Sequence, residues 1–194
     1  MKNKNTRRLV ETAIMLALAT GLSLLPLYKA PFGGSVTLAS MLPVITIAYR
    51  YGMKWGILSG MTYGILQLVT GLEAVKGVSF GSFVGSLLLD YLLAFGMYAL
   101  GATFRKMKSQ KIGLSLGVFM AGVARFVCHF ISGVLIWGMY APEGMTPAHY
   151  SLAYNGGYIL PETVITLVAA VFLSLVLDFR NENITDRSAA AVRV

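Results

Sequence analysis

The sequence predicts an all-α, polytopic membrane protein, a single domain of six transmembrane helices with both termini in the cytoplasm. Three observations predict it. Hydrophobic residues make up 56% of the chain and charged ones only 12%, whereas a soluble domain carries about 25% charged residues. The apolar residues fall in runs close to the roughly 20 that a helix needs to cross a bilayer. The basic residues collect at the ends of those runs rather than on one surface patch.

The spans read in order as 9–27, 37–49, 55–70, 80–104, 112–140 and 155–179. A basic tail precedes the first span, which reads as a retained helix and not as a cleaved leader. A loop with Pro31, Gly33 and Gly34 leads to a short second span that Pro43 is expected to break. The basic turn Arg50-Tyr-Gly-Met-Lys54 opens the third span, and 71–79 connects it to the fourth. Arg105, Lys106, Lys108 and Lys111 separate spans four and five. A long loop over 141–154 then leads to Asn155-Gly156-Gly157, a turn sequence expected to start the sixth span. Residues 181–194 read as a polar cytoplasmic tail, so the membrane domain covers 1–180.

Thirteen basic residues then lie on the side of the termini and two, Lys29 and Lys76, on the other. This asymmetry orients the termini inward and both long loops outward. It also assigns the net charge of +8 to membrane topology rather than to nucleic acid. A porin-like barrel is excluded, because its strands alternate over about 10 residues. One cysteine excludes an internal disulfide, and two histidines without HExxH or CxxC spacing argue against a metal site. No cofactor is expected. No Walker A sequence is present, so any ATP is hydrolysed by a partner.

Small residues recur every four positions at Gly52, Gly56, Gly60 and Gly64, and again at Ala13, Ala17 and Gly21. Spacing of four keeps them on one helix face, where backbones approach closely. For the glycine ladder the expectation is packing inside the bundle. For Ala13 and Ala17 packing and docking of another membrane protein stand side by side.

Polar groups inside a membrane are costly and mark function by default. The stretch from Arg125 to Glu162 concentrates them. Arg125, His129, Gly133 and Trp137 are four apart, so the last three share one helix face. Gly133 would leave a gap between the imidazole and the indole, wide enough for a flat ring. Trp137 is otherwise a residue of the interfacial belt, and His129 a helix–helix hydrogen bonder. Arg125 needs a buried partner, with Asp90 and Glu162 as candidates. Glu162 alternatively serves the N-terminus of its helix. Tyr150, Tyr154 and Asn155 would stand at the mouth. Residue chemistry alone thus describes an outward-facing pocket for a small aromatic cation.

At Asp90-Tyr-Leu-Leu-Ala-Phe95, Arg125-Phe-Val-Cys-His-Phe-Ile-Ser-Gly-Val-Leu-Ile-Trp137 and Tyr150-Ser-Leu-Ala-Tyr-Asn155-Gly, the chain resembles the thiamine-specific S-component family (ThiT/YuaJ type) of energy-coupling factor transporters. The resemblance spans essentially the whole chain. It implies a high-affinity thiamine-binding subunit in a prokaryotic plasma membrane. It also implies that transport requires a transmembrane coupling subunit and two cytosolic ATPases. Ligand contacts would fall on Asp90, Tyr91, His129, Gly133, Trp137, Tyr150 and Asn155, and contacts with the coupling subunit on Ala13 and Ala17. Family members can carry Glu at the position of Asp90 and a tryptophan in the first external loop. Here that loop has no tryptophan, and Phe32 or Tyr28 stands in its place.

Two other readings compete. An intramembrane serine hydrolase would pair His129 with Ser59 or Ser132, although neither serine lies in a G-x-S-x-G context. A secondary transporter of organic cations would need no ATP, but the chain is short for one and shows no inverted repeat.

Overall fold

A computed structural model describes residues 4–180 and the backbone of 185–186. Apart from those last two residues, the tail expected over 181–194 lies outside the described residues.

Six helical rods form the bundle among the described residues. They are α1 (Lys4–Ser23), α2 (Met41–Tyr51), α3 (Met53–Thr70), α4 (Phe80–Ala102), α5 (Gln110–Leu135) and α6 (Pro147–Val176). Between α1 and α2 lies a small antiparallel hairpin, β1 (Tyr28–Lys29) with β2 (Ser35–Val36), in which Tyr28 faces Val36 and Lys29 faces Ser35. After α6, β3 (Leu177–Asp178) pairs with β4 (Thr185–Asp186). Among the described residues three helices, α4, α5 and α6, are long and apolar enough to cross a membrane.

The second helix explains the architecture. From Met41 to Tyr49 every residue of α2 is buried, and a helix apolar on all sides belongs at the centre of a bundle. Pro43 does not break it. It occupies the first turn, where its missing N–H has no intrahelical partner to lose. Gly52 (φ 93°) makes the one-residue turn into α3, so it stands apart from the glycine ladder.

The rest of that ladder packs inside the bundle. A Cβ on Gly56 would lie 2.6 Å from Ala48 Cβ and 2.9 Å from Ala99 Cα. At Gly60 and Gly64 it would strike the carbonyls of Phe95 and Tyr91. Bare helix faces therefore let α3 sit directly on α2 and α4. The stripe on α1 faces the other way. Thr12, Leu16 and Ala19 turn inward, while Ala13, Ala17 and Gly21 are exposed.

The first helix runs Lys4–Ser23 rather than 9–27 and the second starts at Met41 rather than 37, and two further boundaries, beside the cavity, also differ from the sequence reading. The fifth helix ends at Leu135, not near 140, so Trp137 stands in the turn beyond it rather than on the helical stripe of His129 and Gly133. The sixth helix begins at Pro147, not at Asn155. Thr146 caps it by accepting from His149 N, and Pro147 takes the first helical position. That start signal outweighs Asn155-Gly156-Gly157, which is helical. Tyr150, Tyr154 and Tyr158 consequently line up on a helix rather than in a loop.

Glu162, placed in mid-helix by the earlier start at Pro147, does not serve the end of α6. It is buried and accepts from Thr37 N, from Thr37 Oγ1 (2.7 Å) and from Ser40 Oγ (3.4 Å). It thereby caps the entry to α2 from across the bundle.

Candidate ligand pocket

The end of the bundle that carries the hairpin encloses a cavity of about 760 Å³. All seven residues expected to hold a ligand line it, namely Asp90, Tyr91, His129, Gly133, Trp137, Tyr150 and Asn155. They come from α4, α5, the turn after α5, and α6.

Asp90 is the hub. Its helix widens to a π-helix over Leu87–Leu93, an irregularity frequent at functional sites. One oxygen meets His129 Nδ1 at 3.0 Å. The other accepts from Ser86 Oγ (2.7 Å), Ser132 Oγ (2.7 Å) and Trp137 Nε1 (3.0 Å). Four donors fill the lone-pair sites of one carboxylate, so its charge is held without a direct counter-ion. The indole points into the cavity and onto Asp90, not outward to an interfacial belt.

Arg125 pairs with neither candidate. Among the described residues it forms no ion pair; its Nε donates to His129 Nε2 at 3.4 Å. Its guanidinium lies 5.0 Å from the Phe95 ring centroid and 6.0 Å from that of Tyr98. Two aromatic faces thus supply what an ion pair was expected to supply. The chain of bonds also assigns the histidine tautomer. Arginine only donates, so Nε2 accepts, and Nδ1 carries the proton given to Asp90. Both imidazole nitrogens are occupied, and Ser132 donates to Asp90 rather than to His129. No serine is activated there. Ser59 donates to the carbonyls of Trp55 and Gly56, which removes the hydrolase geometry.

Gly133 does not open a gap between rings. A Cβ there would collide with Ser151 Oγ and lie 2.8 Å from Ser151 Cβ. The missing side chain instead lets α6 approach α5. In that contact Asn155 Nδ2 reaches His129 O at 3.2 Å, while its Oδ1 accepts from Tyr158 OH at 2.9 Å. Asn155 is therefore oriented before any ligand arrives.

Aromatic rings form the walls. Tyr150 stacks on Tyr154 with centroids 5.8 Å apart, and Tyr154 meets Tyr158 edge-on at 5.6 Å. Across the mouth, Phe32 packs on Tyr140 at 4.9 Å and Tyr140 on Trp137 at 6.0 Å. Phe32, not Tyr28, is thus the loop aromatic that lines the cavity. Its φ of 62° is rare for a residue with a side chain. Tyr154 OH ties the hairpin down, accepting from Gly34 N (3.1 Å) and donating to Pro31 O.

Sequence reasoning missed Ser86 and Tyr158, and it weighed Ser132 only as a nucleophile, not as a donor to Asp90. The two serines carried a signal. Ser86 precedes Asp90 by four and Ser132 follows His129 by three, on the same helix faces. On the opposite side, Lys29, Glu73 and Lys76 give the rim charges of both signs.

Known proteins resemble this chain over most of its length. The sequence profile described as "Thiamine transporter protein (Thia_YuaJ)" matches residues 9–180. The chain is 32% identical to the thiamine transporter ThiT of Bacillus subtilis over 185 residues, covering 89% of this chain and 92% of that protein. It is 33% identical to ThiT of Lacticaseibacillus paracasei over 172 residues, covering 82% and 83%. A solved structure of ThiT from Listeria monocytogenes superposes with a TM-score of 0.75 at 27% identity, covering 89% of this chain and 95% of that one.

Proposed function

This chain belongs to the thiamine transporter protein family, multi-pass proteins of the cell membrane and not enzymes, and on that premise we propose that it is the substrate-binding subunit of an energy-coupling factor transporter. Its six helices span the membrane with both termini in the cytoplasm. It takes thiamine from the external side with high affinity, through the cavity around Asp90.

The observation that carries this reading is the pairing of a fully hydrogen-bonded carboxylate with aromatic walls in one cavity. Thiamine joins two flat rings, one of them a permanent cation. The indole of Trp137 and the neighbouring tyrosines offer faces to those rings. Asp90, His129, Tyr150 and Asn155 supply the polar contacts. Opening toward the ligand requires Trp137 Nε1 or a serine to release Asp90, so the site exchanges an internal hydrogen bond for a ligand bond.

The exposed stripe of Ala13 and Ala17 supports docking of a transmembrane coupling subunit, which would be joined by two cytosolic ATPases. The chain does not transport alone.

The test is a thiamine titration of the detergent-solubilised protein, followed by tryptophan fluorescence. The chain has two tryptophans. Trp55 lies outside the cavity, against Arg8 at the far end of the bundle. Saturable quenching at sub-micromolar ligand should disappear in Trp137→Phe. Quenching that survives the substitution would remove the site. Uptake by the purified chain alone in liposomes, without ATP, would remove the dependence on partners.

A further inference from the structure

A second cavity, of about 250 Å³, lies at the opposite end of the bundle. The 20-residue α1 runs from one cavity to the other, about 30 Å at 1.5 Å per residue. Three separated segments build this second cavity: the first turns of α1, the end of α2, and the chain just after α6. Among the described residues its lining includes five cations, Lys4, Arg7, Arg8, Arg50 and Arg180, and no carboxylate.

Two carboxylates adjoin it, and both are committed. Glu11 accepts from Arg7 Nε (3.0 Å), from Arg50 Nε (3.1 Å) and Nη2 (2.9 Å), and from Tyr51 OH. Those bonds use the acceptor capacity of a carboxylate. Asp178 holds Arg180. Neither bonds Lys4 or Arg8 among the described residues. Arg8 stands out, because its guanidinium lies 4.0 Å from the Trp55 ring centroid and donates through Nη2 only to the neutral Asn5 Oδ1 (3.4 Å), while its Nε is buried without a hydrogen-bond partner. Orienting a topology requires basic residues only near the membrane end. It does not require them to converge from three segments on one concavity, nor to leave a guanidinium N–H buried and unbonded.

We propose that this cavity binds a phosphate group, and that its source is the headgroup of an anionic phospholipid. Arginine and lysine together suit the several oxygens of a phosphate. The lipid source follows from the neighbouring surface. Leu9 and Val10, directly after Arg8 on α1, are exposed at 56% and 52%. Acyl chains lying on them bring a headgroup to Lys4 and Arg8. Free inorganic phosphate shares the chemistry but makes no use of that apolar strip.

Trp55 reports directly on Arg8, so the test uses Trp137→Phe protein in nanodiscs and follows Trp55 emission. Discs of phosphatidylcholine are compared with discs of rising phosphatidylglycerol content, and inorganic phosphate is titrated separately into the phosphatidylcholine discs. A saturable shift with phosphatidylglycerol is expected. Lys4→Gln with Arg180→Gln should weaken it about twenty-five-fold, taking about fivefold for each cation near a membrane surface. Lys4→Gln alone should weaken it about fivefold, which keeps the test intact where the double variant loosens the tail. Lys106→Gln with Lys111→Gln, the same charge removed outside the cavity, should leave the midpoint in place. Saturation by inorganic phosphate alone would keep the site and overturn the lipid source. An equal effect of the control pair would overturn the site, reducing it to general surface charge. No shift with either probe, and no change in melting temperature in the same discs, would overturn it as well.

Discussion

Asp90 and Glu162 are equals in the sequence, each a carboxylate part-way along an apolar run and each a candidate partner for Arg125. Their surroundings separate them. Asp90 lines a cavity and gathers donors that belong to movable side chains: two serines, an imidazole and an indole. Glu162 is 1% exposed and holds the backbone N–H and hydroxyl of Thr37. A carboxylate bonded to side chains beside a cavity can exchange partners with a ligand. One bonded to backbone inside the bundle fixes where the chain turns. The identity of the donors, more than burial, separates a carboxylate free to exchange partners from one that fixes the chain.

The largest expected effect tests the first half of that contrast. Asp90→Asn keeps the volume, removes the charge and places an NH₂ donor against donors. Losing a charge-assisted bond and leaving a donor unmatched costs about 3 kcal/mol together. Thiamine affinity should therefore fall about a hundredfold in a protein that still melts cooperatively. Wild-type affinity in this variant would mean that the ligand does not use the carboxylate, and the contrast would collapse. Glu162→Gln comes next and should act on the other axis. Its amide oxygen can keep the Thr37 N–H while its NH₂ turns to the Thr37 and Ser40 hydroxyls, so what is lost is the charge that strengthens these buried bonds, about 1 kcal/mol. The melting temperature should drop while thiamine affinity changes less than it does in Asp90→Asn. An affinity loss as large as that of Asp90→Asn would show that the two sites are one.

This contrast also marks what the sequence made legible. The helical class followed from the apolar runs, and the polar groups within them pointed to Arg125, His129, Trp137, Tyr150 and Asn155, because burial of both kinds is set by local composition; Tyr91 was named only through the family resemblance. Interior packing of Gly56, Gly60 and Gly64 followed from spacing alone. What sequence could not carry were the relations between distant segments. Nothing near Glu162 signals that its partner is Thr37, 125 positions away. Nothing near Gly133 says that Ser151 fills the space beside it. Arg125 was read through charge, so a carboxylate was sought, but the fold met it with a histidine and two rings. The helix boundaries near Trp137 and Asn155 shifted because a Thr-Pro start at 146–147 competes with an Asn-Gly-Gly turn signal, and only packing against α5 decides between them.

The smallest expected effect concerns the hairpin, which closes one side of the mouth and depends on the same helix as Glu162. Val36 of the hairpin packs on Tyr158 and Ile159 of α6, and at the cavity Tyr154 OH bonds Gly34 N and Pro31 O. Tyr154→Phe removes both bonds and keeps the ring between Tyr150 and Tyr158. Each bond contributes about 1 kcal/mol net, part of which the freed backbone groups recover from water. Thiamine should then dissociate about fivefold faster, with an association rate that is unchanged or slightly higher, because a looser hairpin obstructs exit less. Stopped-flow fluorescence of Trp137 separates the two rates. A slower association with unchanged dissociation would instead place the hydroxyl on the ligand. Tyr154 would then belong with Asp90 among the groups that exchange partners, rather than with Glu162 among those that hold the chain.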